Sequence, residues 1–464
     1  GGGSRGTVVD LRGDDGNPFD IYVRARINDP IRLRYHKLPY PLIFHEGQVV
    51  FSSTEGRIRL DELKTDPDQS PIVSVSGEIG PDDSSDEAAA EPGATLLSMN
   101  FNIQKSEEGS GLDLSQDELI QSLPPDMKNF FQQMKLSGRV SGQASVLYRY
   151  KEGNTSPQDE VVEYDVEGEL ESSGFDFAMR AEDLSAKFEI HGDKKPGLGH
   201  SFSGQISEGD FRFSRFHANL PPSRVLHFTY GMAHPRLQLH DPLDEGFPTP
   251  WLLKQVPVDE THLFMAELGT SEIYGGALDG FFFADLAPGG GRFAGETSVS
   301  DVDLSLGSEM LFRKPGVAGI AAGSARVQGL VGSPDSILGN GAFSIRNGNL
   351  AQVPIIAGVL QNPFEGLNRR NNRIKSADCK FSIHDQLFEF KGMGAIRLSS
   401  PAGKILGKGV VGFDQQLHLI MEPQTLGGAP ILSDIANRLL RFRIEGSLDQ
   451  PNIGSSKRNP PEDE

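Results

Sequence analysis

Residues Phe381–Phe390 read FSIHDQLFEF. Phe381 and Ile383 are separated by one polar residue, and so are Phe388 and Phe390. That spacing is the period of a β-strand, in which successive side chains point to opposite faces. The same alternation recurs on both sides of this stretch. Val410–Leu419 reads VVGFDQQLHL, Phe343–Leu350 reads FSIRNGNL, Phe202–Phe213 reads FSGQISEGDFRF and Phe44–Phe51 reads FHEGQVVF. A polar turn of two to four residues follows each run, often Asn-Gly or Glu-Gly. Asn347-Gly348 predicts a type I′ hairpin, because both central positions of that turn need positive φ. The strand–turn–strand unit repeats along the chain without a fixed period. The expected fold is mainly β, built of antiparallel hairpins with a few short helices.

The composition agrees with this reading. Gly and Pro supply 54 and 30 of the 464 residues, a load that a mostly helical protein does not tolerate. Lys+Arg number 44 against Asp+Glu 64, a net charge of −20 that argues against nucleic acid as a partner. One cysteine excludes a disulfide framework within the chain and a cysteine-only zinc site. No run of 18 apolar residues is present to span a membrane, and no signal peptide is evident. The opening GGGSRG reads as a linker or the start of a fragment.

Helices are expected at three places. Ser115-x-x-Glu118 has the form of a capping box ahead of Leu119, Ile120 and Leu123. Pro124-Pro125 then breaks and restarts the helix, and Met127, Phe130, Phe131 and Met134 continue an apolar stripe, giving a helical insert at 115–135. Val353–Leu360 and Ala429–Leu440 are the other two. The acidic segment at 81–93 reads as a disordered loop and 454–464 as a free tail. A Pro- and Asp-rich cluster near 240–250 marks the boundary between an N-terminal β-rich repeat region, 1–250, and a C-terminal region, 251–453. The hairpin style does not change across it, so the sheet is expected to continue.

The chemistry-bearing motifs are weak. Gly407-x-Gly409-x-x-Gly412 matches a dinucleotide fingerprint, but FDQQLHLIME alternates as a strand where the fingerprint needs a helix. The eleven histidines show no metal-ligand spacing. His200-Ser201-Phe202-Ser203 reads as a solvated turn and Cys379 as a small buried hydrophobe. No catalytic constellation emerges, and the reading is of a protein that is not an enzyme, with no cofactor. What remains is a sheet that must hide one apolar face. That face either packs as a core or solvates a hydrophobic ligand.

The C-terminal part carries a resemblance. Tyr274-Gly275-Gly276, Gly339-x-Gly341, Asn347-Gly348, Pro354, Gly407-x-Gly409, Phe413-Asp414, and Gly446 with Pro451 occur in that order. The succession resembles the AsmA-like C-terminal region of AsmA-, TamB- and YhdP-type bacterial envelope proteins, and covers Leu263–Pro451. The N-terminal membrane helix typical of that family is missing from this chain. The resemblance implies a long curved antiparallel sheet with an open apolar groove, in the style of bridge-like lipid-transfer proteins. It implies a periplasmic module of a diderm bacterium, anchored in the inner membrane by a segment outside this chain. Its ligand would be phospholipid, moved between inner and outer membranes or used in outer-membrane assembly, with other envelope proteins as partners. On period 2, the groove candidates are Phe343, Ile345, Phe381, Ile383, Phe388, Phe390, Val411, Phe413, Leu417 and Leu419. The alternative is a structural or scaffold envelope protein with a filled β core and a protein partner.

Overall fold

The computed structural model describes residues 7–12, 20–27, 29–35, 38–66, 71–82, 94–105, 111–151, 161–177, 180–195, 199–213, 216–232, 262–287, 291–312, 316–349, 374–400, 403–425, 441–447 and 450–455. They form one antiparallel sheet of twenty-five strands and three short helices. The N-terminal strands are β1 (Thr7–Arg12), β2 (Asp20–Arg26), β3 (Ile31–Tyr35), β4 (Leu38–Ser52), β5 (Arg57–Thr65), β6 (Ile72–Pro81), β7 (Ala94–Gln104) and β8 (Leu112–Asp113). Helices α1 (Asp117–Ser122) and α2 (Pro125–Met134) follow. The middle of the sheet is β9 (Ser137–Lys151), β10 (Val161–Asp176), β11 (Arg180–Lys194), β12 (His200–Phe213), β13 (Phe216–Tyr230), β14 (Leu263–Ile273), β15 (Gly276–Asp285) and β16 (Arg292–Asp303). After α3 (Leu304–Phe312) come β17 (Ala318–Leu330), β18 (Ser333–Asn349), β19 (Ser376–His384), β20 (Leu387–Phe390), β21 (Ile396–Ser400), β22 (Gly403–Gly412), β23 (Gln416–Thr425), β24 (Phe442–Ser447) and β25 (Pro451–Ser455).

The topology is a meander in which each strand pairs with its chain neighbours. Three places are broken: β2 and β3 lie end to end against β4, β7 and β8 against β9, and β20 and β21 between β19 and β22. The twenty-five strands therefore make twenty-two rungs, a ladder about 100 Å long at the usual strand spacing. Among the described residues β1 pairs only with β2 and β25 only with β24, so the sheet is open. The strands on either side of the Pro- and Asp-rich segment belong to this one sheet, because β13 and β14 pair from Tyr230↔Phe264 to Asn219↔Glu272.

Several local expectations need correction. Asn347-Gly348 is not a hairpin turn. Asn347 has φ +51, but the ladder resumes beyond it at Asn349↔Ala318, so the dipeptide is a bulge inside β18. Glu208-Gly209 in β12 and Glu46-Gly47 in β4 also sit at register shifts. A bulge and a primed turn both call for a residue at positive φ, so the dipeptide alone does not separate them. Primed-type turns lie elsewhere: Asp385 and Gln386, at φ +49 and +59, join β19 to β20 in the opening stretch, and Tyr274 and Gly275, at φ +47 and +74, join β14 to β15.

The capping box does not form either. The backbone N–H and Oγ–H of Ser115 both donate to Asp113 Oδ1, at 2.8 and 2.6 Å, and α1 starts after Gln116 without a side-chain cap. Helix α3, unforeseen in the sequence, begins where the Ser305 N–H and hydroxyl donate to Asp303 Oδ1. Gly454 and Ser455, assigned to the tail, belong to β25. Pro81, assigned to the disordered loop at 81–93, is the last residue of β6 and pairs with Thr95. The rest of that loop from 83, the expected helices at 353–360 and 429–440 and the tail at 456–464 lie outside the described residues. Among the described residues no helix is long and apolar enough to cross a membrane.

Candidate functional site: one apolar face

The two faces of the sheet differ sharply in chemistry. One register row starts at Leu63 on β5 and passes through Val75, Phe101, Ala144, Val166, Ile190 and Gly204. It goes on through Phe228, Ala266, Phe282, Gly295, Val327 and Gly339. It ends through Ile383, Phe388, Val411, Leu417 and Gly446 at Pro451 on β25. No side chain in this row is polar. The adjacent row on the opposite face includes Gln143, Glu167, Glu189, Gln205, His227 and Glu267. It continues through Glu296, Arg326, Asn340, Ser382 and Glu389 to His418 and Glu445. Phe281 and Val410 are its two apolar interruptions. Phe281 belongs to a small buried cluster with Met265, Phe283 and Ala294, where β15 is apolar on both sides.

All ten sequence-predicted residues fall on the apolar face. Ile383, Phe388, Val411 and Leu417 are consecutive members of the row just traced. Phe381 pairs with Gly341, and Phe390 with Gly409, which in turn faces Leu419. Phe343 faces Cys379 and Ile345 faces Ala377. Phe413, just past β22, has its ring 5.4 Å from that of Phe388, which lies 5.6 Å from Phe381. Ile345, Ile383, Leu417 and Leu419 are buried, and the other six are half-buried. Cys379 is half-buried among them, and burial pushes its thiol pKa up.

Glycines set the relief of this face. A Cβ on Gly341 would meet the Phe381 ring at 2.4 Å, one on Gly204 the Phe228 ring at 2.5 Å, and one on Gly192 the Tyr164 ring at 2.2 Å. Each aromatic side chain therefore lies over a glycine of the neighbouring strand. The Gly- and Phe-rich composition thus builds a low apolar floor.

The sequence reading did not see how α2 is placed. Phe130 inserts into the apolar face, with its ring 5.2 Å from Phe202, 5.1 Å from Tyr230 and 5.8 Å from Phe264. Those three residues are register partners on β12, β13 and β14. Asp126 Oδ2 accepts the His200 N–H at 2.9 Å, and Asn129 Nδ2 donates to the Leu286 carbonyl at 2.6 Å. His200, expected in a solvated turn, is 6% exposed on β12 beneath this helix. Burial raises the Asp126 pKa, but the His200 N–H and nearby positive charge outweigh that and hold it below the ordinary aspartate value. The N-terminal part of the face was also not nominated. There Phe51 and Ile58 are cross-strand partners, each 36% exposed.

The polar face carries an open trough of about 570 Å³ that includes Asp165, Glu189, His191 and Gln205. Its groups pair with one another: His191 Nδ1 lies 2.6 Å from Asp165 Oδ1, and Gln205 Nε2 donates to Glu189 Oε2 at 2.7 Å. No cluster of three or more His, Cys, Asp or Glu able to hold a metal ion occurs among the described residues.

Comparison with family models, curated proteins and solved structures returned no match.

Proposed function

We propose that this chain is a lipid-binding module whose apolar face shields acyl chains while lipid headgroups stay in water. The observation that carries the reading is the register row from Leu63 to Pro451, apolar over its whole length, opposite a row that is polar or charged except at Phe281 and Val410. A globular core needs only local apolar packing. A face kept apolar along about 100 Å of ladder suits a ligand that moves along it, because sliding exchanges one apolar contact for another. Each buried methylene contributes about 0.8 kcal/mol of retention. The AsmA-like resemblance of the C-terminal region supports placing the module in a diderm envelope, contributing to phospholipid transport or outer-membrane assembly. The membranes would be engaged through parts outside this chain, and no cofactor or catalytic step is invoked.

A second reading is a scaffold with a filled face and a protein partner. It draws support from the burial of Leu417 and Leu419 and from α2 lying on the sheet. Organic extraction and mass spectrometry of protein purified without detergent, beside a soluble control protein, separates the two. Near-stoichiometric phospholipid is the expected result. Repeatedly empty protein would overturn the lipid reading. Phe388→Glu, at a half-buried position, should lose bound lipid and keep its circular dichroism spectrum.

A further inference from the structure

We infer that the aromatic socket now holding Phe130 is itself an acyl-chain site, and that α2 is its displaceable occupant. The inference rests on the lipid reading of the apolar face. Phe202, Tyr230 and Phe264 form the socket, and they lie on the same face as the uninterrupted apolar row. An acyl chain following that face along β12–β14 meets α2 in its path.

Three features make α2 a removable element rather than a fixed part of the core. Its helix is weak on its own. It has no side-chain N-cap bond, and its C-cap is Lys135 at φ +48, a conformation that favours glycine. At ten residues it is too short to persist in water, so it stays helical only while seated. Its polar ties to the sheet are isolated contacts: Asp126 to the His200 N–H, Asn129 to the Leu286 carbonyl and, at the C-cap, Lys135 Nζ to Asp176 Oδ2 at 3.4 Å. Finally, the apolar burial that seats it is modest. Phe130 and Met134 are buried and Met127 and Phe131 are half-buried beside them, a seat matched by about six to twelve methylenes, fewer than a common phospholipid acyl chain carries. The chain enters β9 directly after Leu136, so α2 can leave the socket while its C-terminal end stays tethered.

A reversible lock tests this. A Cβ on Gly199 would lie 3.1 Å from Asp126 Oδ2, so Asp126→Cys with Gly199→Cys places two thiols within bonding reach. The full chain, oxidised or reduced, is incubated with phosphatidylglycerol vesicles carrying a photoactivatable diazirine acyl chain, and labelled peptides are mapped. The expected result is labelling of β20–β23 in both states, and of the peptides bearing Phe202, Tyr230 and Phe264 only after reduction, at least fivefold above the locked form. Equal labelling of those peptides in both states would overturn the inference. So would their absence in the reduced form while β20–β23 is labelled, because α2 is then permanent core. No labelling of any apolar-face peptide in either state would overturn the lipid reading and this inference together. Phe130→Ala in the otherwise unaltered chain provides a second readout. It should raise socket labelling at equal vesicle concentration, and unchanged or lower labelling counts against the proposal.

Discussion

The rings of Phe177 and Phe282 lie 6.2 Å apart at an interplanar angle of 83°, although one follows β10 and the other sits on β15. Five ladder steps separate those strands, about 24 Å in a flat sheet. The sheet is therefore curled here, with its apolar face on the inside. Bulges at Ser172 on β10, Asp183 on β11 and Glu208 on β12, all at positive φ, supply bend and twist along this part of the ladder. Phe177→Ala should cost about 3 kcal/mol and open the curl. The check is a lower urea midpoint together with a larger radius of gyration by X-ray scattering, at unchanged far-ultraviolet dichroism. Phe51→Ala, at a far more exposed position on the same face, should change stability by less than about 1 kcal/mol.

Leu417 is 0% exposed, between Val411 and Gly446. Leu417→Ala should cost about 2–5 kcal/mol, the range for truncating a fully buried leucine. Chemical denaturation measures it. A loss below about 1 kcal/mol would mean that the face is loosely packed at this strand.

The Asp385-Gln386 turn holds two non-glycine residues at positive φ. Gln386→Gly should stabilise the protein by about 0.5–1 kcal/mol by relieving that strain. The opposite sign is expected at Gly409. It has φ +141, and a Cβ there would lie 2.1 Å from the His418 carbonyl oxygen. Gly409→Ala should therefore cost more than about 1 kcal/mol. Thermal melts of the two variants should shift in opposite directions.

Asp126 has a depressed pKa in the folded protein, so its contribution is fully present above the unfolded pKa, about pH 4. It is lost as pH falls through the folded value. Amide hydrogen exchange in α2 should therefore accelerate below about pH 4, beyond the intrinsic change in exchange chemistry. Asp126→Asn, which keeps an acceptor oxygen but does not titrate, should flatten that acid limb.

Much of the sheet was legible in the sequence because period 2 is a local signal. Phe381, Ile383, Phe388 and Phe390 declare their common face within ten residues, and the hairpin register carries that face to Val411 and Leu417. Asn347-Gly348 misled because a bulge and a turn make the same demand on φ, and only the strand beyond distinguishes them. Helix α3 was hidden because Phe293–Leu304 alternates as a strand up to its first residue. The seat of α2 was not legible at all. The stripe containing Phe130 showed a buried side, but its partners Phe202, Tyr230 and Phe264 lie far along the chain, and nothing local names them.

The pairing pattern has a consequence for how such a molecule changes length. Among the described residues, each inner rung pairs with the rung before and the rung after it in the chain. Inserting or deleting a whole hairpin disturbs two junctions and leaves the rest of the ladder in register. Two strands added or removed also preserve which face is apolar. The span is thus an adjustable quantity, set by counting hairpins, and a chain of this design can be fitted to a wider or narrower gap without reinventing its interior.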